Sequence, residues 1–118
     1  MAAPNVIGGN LPRASDFLWQ YAMEYPNGPT IFWANMGSYH SEQHELHYRT
    51  LKRVPLGPRA FPNPMGKHIP GVGFCYDIVD PDGNLFSRYT VDFLNMTQLN
   101  EATGTVRKLR RMGVKYLQ

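Results

Sequence analysis

With Cys75 as its single cysteine, the 118-residue chain cannot build an internal disulfide framework. The thiol reads as a small apolar strand residue rather than a nucleophile, because no histidine neighbours it in sequence and a strand interior offers no helix N-terminus to lower its pKa. Charge is also scarce. Asp, Glu, Lys and Arg make up 18% of residues against a typical quarter. No uninterrupted apolar run approaches the roughly 20 residues of a membrane-spanning helix. The opening MAAPNVIGGNLPRAS has no charged region followed by an apolar run, so it reads as neither a secretory signal nor, with one basic residue before position 49, a transit peptide. Phosphate-loop glycines are absent, since no Gly-Lys-Ser/Thr follows the glycines at 8–9, 71 and 73. No cofactor signature is present, and Asp77, Asp80, Asp82 and Asp92 are accounted for by turns and strand edges. These absences argue against an enzyme.

Aromatic residues, by contrast, reach 13% and apolar residues 42%. High aromatic content with little charge is the composition of surfaces that bury themselves against a partner. The basicity is local. Residues 1–101 hold seven Lys/Arg against nine Asp/Glu, whereas residues 102–118 hold five Lys/Arg and no acid. Arg107, Lys108, Arg110, Arg111 and Lys115 therefore form a basic tail, suited to a helix C-terminus, to anionic lipid headgroups, to an acidic protein neighbour or to RNA phosphates.

Along the chain, residues 1–14 read as an extended arm broken by Pro4, Gly8, Gly9 and Pro12. A single small domain, 15–118, follows. Ser15 can cap a first helix, in which Leu18, Tyr21, Ala22 and Tyr25 fall on one stripe before Pro26 stops it. TIFWANM is open between a second helix and a short strand, with helix the reading taken. A helix from Ser41 to about Arg53 comes next. Positions 54–71 hold five prolines and three glycines and read as an irregular connector. The hairpin 72–94 turns on Asp80-Pro81-Asp82-Gly83, a type I turn with Gly83 left-handed. That turn predicts the pairs Val79–Leu85, Tyr76–Arg88 and Phe74–Thr90, which would make both hairpin faces apolar and require cover on both. A basic helix or tail, 97–118, ends the chain. The expected fold is α+β: short helices around one antiparallel hairpin, with an extended arm and a Pro-rich segment.

The sharpest chemical candidate is YHSEQHELHYRT, with His40, His44 and His47 at i, i+4 and i+7. On a helix they share an arc of about 60°, yet His40 and His47 stand roughly 10 Å apart along the axis. One zinc ion, with bonds near 2 Å, cannot take all three. His44, His47 and His68 remain weak metal candidates, and HELH misses the zincin spacing by one residue. The chain is similar in general character to supernumerary subunits of mitochondrial respiratory or ATP synthase complexes, without a shared motif. That character implies a non-catalytic accessory subunit, peripheral on the inner membrane, wrapping over neighbouring subunits, with no resident cofactor. Trp19, Tyr21, Phe32, Trp33, Phe74 and Phe86 are its expected interface anchors. A ribosomal protein meeting RNA through the basic tail is the alternative, and a small zinc-binding module the lesser one.

Overall fold

The computed structural model describes residues 14–28, 30–54 and 65–113. The expected arm as far as residue 13, most of the Pro-rich connector and Lys115 lie outside those residues. After a 3-10 turn at Ala14–Asp16 come β1 (Phe17–Glu24), β2 (Ile31–Asn35), α1 (Ser38–Lys52), β3 (Lys67–Ile69), β4 (Gly73–Val79), β5 (Leu85–Asp92), β6 (Thr97–Asn100) and β7 (Val106–Gly113). The strands form one seven-stranded sheet in the order β2-β1-β7-β6-β5-β4-β3, antiparallel throughout. This overturns the expectation of short helices around a hairpin: among the described residues there is one α-helix against a sheet.

Three expected helices are strands or part of strands. The stripe of Leu18, Tyr21, Ala22 and Tyr25 is a coincidence of spacing. Phe17, Trp19 and Tyr21 alternate as a strand requires, and β1 is held on both sides, by β2 and by β7. TIFWANM becomes the edge strand β2. The basic tail becomes β7, closing onto β1 with Trp19 opposite Arg111 and Tyr21 opposite Leu109. Such pairing across about ninety positions leaves no local trace in sequence.

The turn forms as read: Gly83 has φ 86°, its N–H donates to the Asp80 carbonyl at 2.9 Å, and Asp80 Oδ1 accepts from the N–H groups of Asp82 and Asn84. Val79 does pair with Leu85. A bulge at Ile78/Val79 then shifts the register by one, so that Tyr76 meets Tyr89 and Phe74 meets Val91. A one-residue slip moves every later side chain to the other face. Phe74, Tyr76, Tyr89 and Val91 therefore share one face, and the hairpin's need for cover on both sides disappears. Gly73 is fixed by this pairing, since a Cβ there would run into the Val91 carbonyl oxygen. Gly73→Ala should cost about 1–3 kcal/mol in urea unfolding; an unchanged midpoint would show that β4 and β5 lie farther apart.

Helix α1 packs on both β1 and β4. Four spacings of about 4.8 Å would hold these strands about 19 Å apart in a flat sheet, wider than one helix, so the sheet must curl around α1. The aromatic contacts agree: Trp19 of β1 lies 5.1 Å from Phe93, and Phe93 lies 6.0 Å from Phe74 of β4. Trp19, Phe74, Val91, Phe93 and Leu109 make the core inside the curl.

The face that α1 buries is polar. Ser41, Gln43, His44, Glu45, His47 and Arg49 are all buried, with Leu46 their one apolar companion. Each has a reason to be there. β2 stops short of Trp19, whose free N–H donates to Ser41 Oγ at 3.0 Å. Gln43 Oε1 accepts from the Met65 N–H at 2.6 Å and ties the returning chain to the helix. Glu45 receives Trp19 Nε1 (2.9 Å), Arg49 Nε (2.6 Å), and both Nε and Nη2 of Arg111 (2.8 and 2.6 Å). Four donors satisfy the two carboxylate oxygens. Burial alone would raise the Glu45 pKa, but the hydrogen bonds from Arg111, Arg49 and Trp19 outweigh it and hold the carboxyl below its ordinary value.

Candidate functional site

α1 covers only part of the concave face. Beyond its N-terminus a pocket of about 520 Å³ opens, within the range of small-ligand sites. Its floor is two adjacent rows of the sheet. Tyr76, Tyr89 and Asn100 pair across β4, β5 and β6, and Gln98 pairs with Arg107 across β6 and β7. Tyr21, Met23 and Asn35 of β1 and β2 line it too; Met36, Gly37 and His40 bring the start of α1 to the rim; Thr103 and Thr105, between β6 and β7, complete the lining.

The chemistry of this lining is consistent. Tyr76 and Tyr89 lie nearly parallel, 5.4 Å between centroids. Burial first, then the neighbouring Tyr89 and Tyr21, push the Tyr76 hydroxyl to a higher pKa, so it stays protonated and able to donate. Asn100 is already engaged: its Oδ1 accepts from Ser87 Oγ at 2.6 Å and its –NH2 approaches the Tyr89 hydroxyl at 3.3 Å. Arg107 reaches the Ala22 carbonyl only at 3.4 Å. No Asp or Glu is among the described lining residues, whereas one Arg and one His are. The pocket offers flat rings, hydrogen-bonding amides and a guanidinium, with no carboxylate to repel an anion.

The three histidines of α1 part company. His40 stands at the pocket rim, 5.7 Å from the Tyr76 ring. His44 is wholly buried among Trp19, Phe74, Tyr76 and Phe93. Desolvation is the main reason its pKa falls to about 4, partly offset by its bond to the His40 carbonyl. His47 stacks face to face on Phe74 at 4.0 Å and meets His68 of β3, Nδ1 to Nδ1, at 3.3 Å. Those two rings lie 10° apart in plane with centroids 5.5 Å apart, so they meet edge to edge. His47 Nε2–H donates to the Met65 carbonyl at 3.0 Å, which leaves His47 Nδ1 as acceptor and His68 Nδ1–H as donor. Burial lowers the His47 pKa against the pull of the Met65 bond. The structure thus brings His47 and His68 together and leaves His44 apart. Among the described residues no group of three or more His, Cys, Asp or Glu is placed to hold a metal ion.

The expected anchors separate in the same way. Trp19 and Phe74 are fully buried core residues, not contacts for a partner. Tyr21 joins the pocket wall. Phe32 is exposed on edge strand β2, Trp33 lies half-buried 4.5 Å beneath the Arg110 guanidinium, and Phe86 is 72% exposed on β5. The basic residues divide between the two faces of β7. Arg111 turns inward to Glu45, stacked 3.5 Å over Phe17. Arg107 enters the pocket, Arg110 donates to Gln20 Oε1 at 2.6 Å, and Lys108 is exposed. Sequence reasoning missed Tyr76, Tyr89, Gln98 and Asn100 as site residues. The alternation Tyr76, Ile78 and Tyr89, Val91 was the available signal, and the bulge disguised it.

The antiparallel sheet thus curls around one helix and leaves an open pocket whose described lining holds one arginine and no carboxylate. Residues 74–111 match the WWE domain, a protein–protein interaction module. The matched stretch, about a third of the chain, runs from Phe74 of β4 to Arg111 of β7; α1, β1 and β2 lie outside it. No curated protein and no solved structure matches the chain. Among the described residues no helix is long and apolar enough to cross a membrane.

Proposed function

We propose that this chain is a non-catalytic recognition subunit: it joins other proteins, and its pocket takes a planar, hydrogen-bonding group that carries negative charge. A nucleotide-like group, free or attached to a partner protein, has those properties. The observation that carries this reading is the lining itself, where tyrosine rings and the Gln98 amide surround Arg107 with no opposing carboxylate. The absence of catalysis is supported by the employment of the acids. Asp77 pairs with Arg88, Asp80 and Asp92 accept backbone N–H groups in turns, Glu101 accepts from Thr90, and Glu45 is sealed in the core. None of them lines the pocket.

Calorimetric titration of the purified chain with adenosine 5′-monophosphate, and with adenosine as the uncharged control, tests the reading. The phosphate should improve affinity, and Arg107→Ala should remove about tenfold, or about 1.4 kcal/mol, with stability within about 0.5 kcal/mol of the parent. Equal affinities for the two compounds would remove the anionic requirement. No binding of either would remove the nucleotide-like class.

A further inference from the structure

Two buried polar atoms near the pocket have no hydrogen-bond partner among the described residues: His44 Nε2 and Gln98 Oε1. Gln98 is a side-chain neighbour of the His44 imidazole, yet neither atom completes a hydrogen bond in this arrangement. The tautomer of His44 explains the conflict. Its Nδ1 lies 2.7 Å from the His40 carbonyl, which can only accept, so Nδ1 carries the hydrogen. In a neutral ring Nε2 then offers a lone pair, and a carbonyl oxygen opposite it sets acceptor against acceptor. Turning the Gln98 carboxamide about its last bond resolves this. The –NH2 then donates inward to Nε2, and the carbonyl oxygen takes the outward position. Gln98 lines the pocket, so its outward atom is what a ligand meets.

We propose that His44, which lines no part of the pocket, is its positioning residue: it holds Gln98 with –NH2 inward and C=O facing the cavity, so that the site selects a ligand group that donates a hydrogen bond, an amine or hydroxyl, over one that accepts. This rests on the reading of the cavity as a ligand site. The selection is strict because the alternative orientation leaves two buried acceptors unpaired, at a cost comparable to a lost hydrogen bond. His44 is well placed to impose it. Aromatic rings surround it on β1 and β4 and at Phe93, and the helix backbone fixes its other nitrogen.

The test is nitrogen-15 NMR of the full chain, free and saturated with adenosine 5′-monophosphate. The free protein should show His44 as the Nδ1–H tautomer, with a coupling across the hydrogen bond from the Gln98 side-chain nitrogen to His44 Nε2. That coupling should persist at saturation, because the ligand engages the carbonyl. An Nε2–H tautomer, or loss of the coupling on saturation, overturns the proposal. His44→Phe fills the aromatic cage without ring nitrogens and should weaken nucleotide binding about tenfold, while the Gln98 amide samples both orientations. Unchanged affinity in that variant also overturns it. Should the variant not fold, the spectra of the parent protein decide alone. A parent that shows the coupling but binds no nucleotide would instead sink the ligand-site reading, and the selection with it.

Discussion

Glu45→Gln is expected to destabilise the fold by about 3–5 kcal/mol, the range for removing one member of a buried ion pair. Size and shape barely change, and the amide oxygen can still accept from Trp19 Nε1. What changes is charge. Arg49 and Arg111 both donate to this carboxylate, at 2.6 Å each to Oε2, and Arg49 is as deeply buried as Glu45. The variant removes the negative charge that both guanidinium groups share at Glu45 Oε2, and its –NH2 faces donors where an acceptor stood. Arg111 is a quarter exposed and can recover some hydration, which places the loss toward the lower end. Because Glu45 joins α1 to β1 through Trp19 and to β7 through Arg111, the loss should loosen the contact between helix and sheet. Urea unfolding of parent and variant measures it. A difference below about 1 kcal/mol would mean that the buried charges are compensated elsewhere.

Acid should unfold the protein in two stages, beginning well above the carboxylate range. In an unfolded chain His44 takes up its proton near pH 6.5, but in the folded protein burial delays that to about pH 4. Between these values the unfolded state binds more protons, so its population grows as pH falls. The stabilisation is complete above about pH 6.5 and is lost by about pH 4, amounting to on the order of 3 kcal/mol. His47, also lowered by burial, adds a loss of the same sign. Glu45 acts next: its depressed pKa contributes stability that is present above the ordinary value of 4.5 and disappears as the pH falls through the folded value. Unfolding midpoints at pH 7, 5.5 and 4 should therefore drop progressively, and His44→Phe should flatten the first stage. A flat profile between pH 7 and 4 in the parent protein would contradict a neutral, sealed His44.

Where the determinants were short-range, the sequence was readable. Asp80-Pro81-Asp82-Gly83 carries every residue its turn requires, and the helix ended where Arg53 and Pro55 suggested, with Arg53 left-handed at φ 57°. The helix itself was harder, because amphipathic patterns mark a buried stripe by its apolar residues. α1 inverts that rule. Its histidines looked like a broken ligand comb, yet His44 and His47, with Glu45, lie on the face inside. The exposed-looking basic tail misled for the same reason: Arg111 turns inward only because Glu45 awaits it from a helix 66 positions away.

Local chemistry alone determined the hairpin turn, the end of α1 at Arg53 and the poverty of catalytic motifs, whereas α1 begins at Ser38 and not at the expected Ser41. Tertiary structure decided the rest, including the closing of β7 onto β1, the bulge that chose which hairpin face is buried, and the pocket itself. The physical reason is range. A turn is settled by the dihedral preferences of four neighbouring residues, whereas a strand's register and a buried charge depend on partners that approach only when the sheet curls. Tyr76, Tyr89, Gln98 and Arg107 lie on four different strands, and only the curl of those strands past the end of α1 makes them one site.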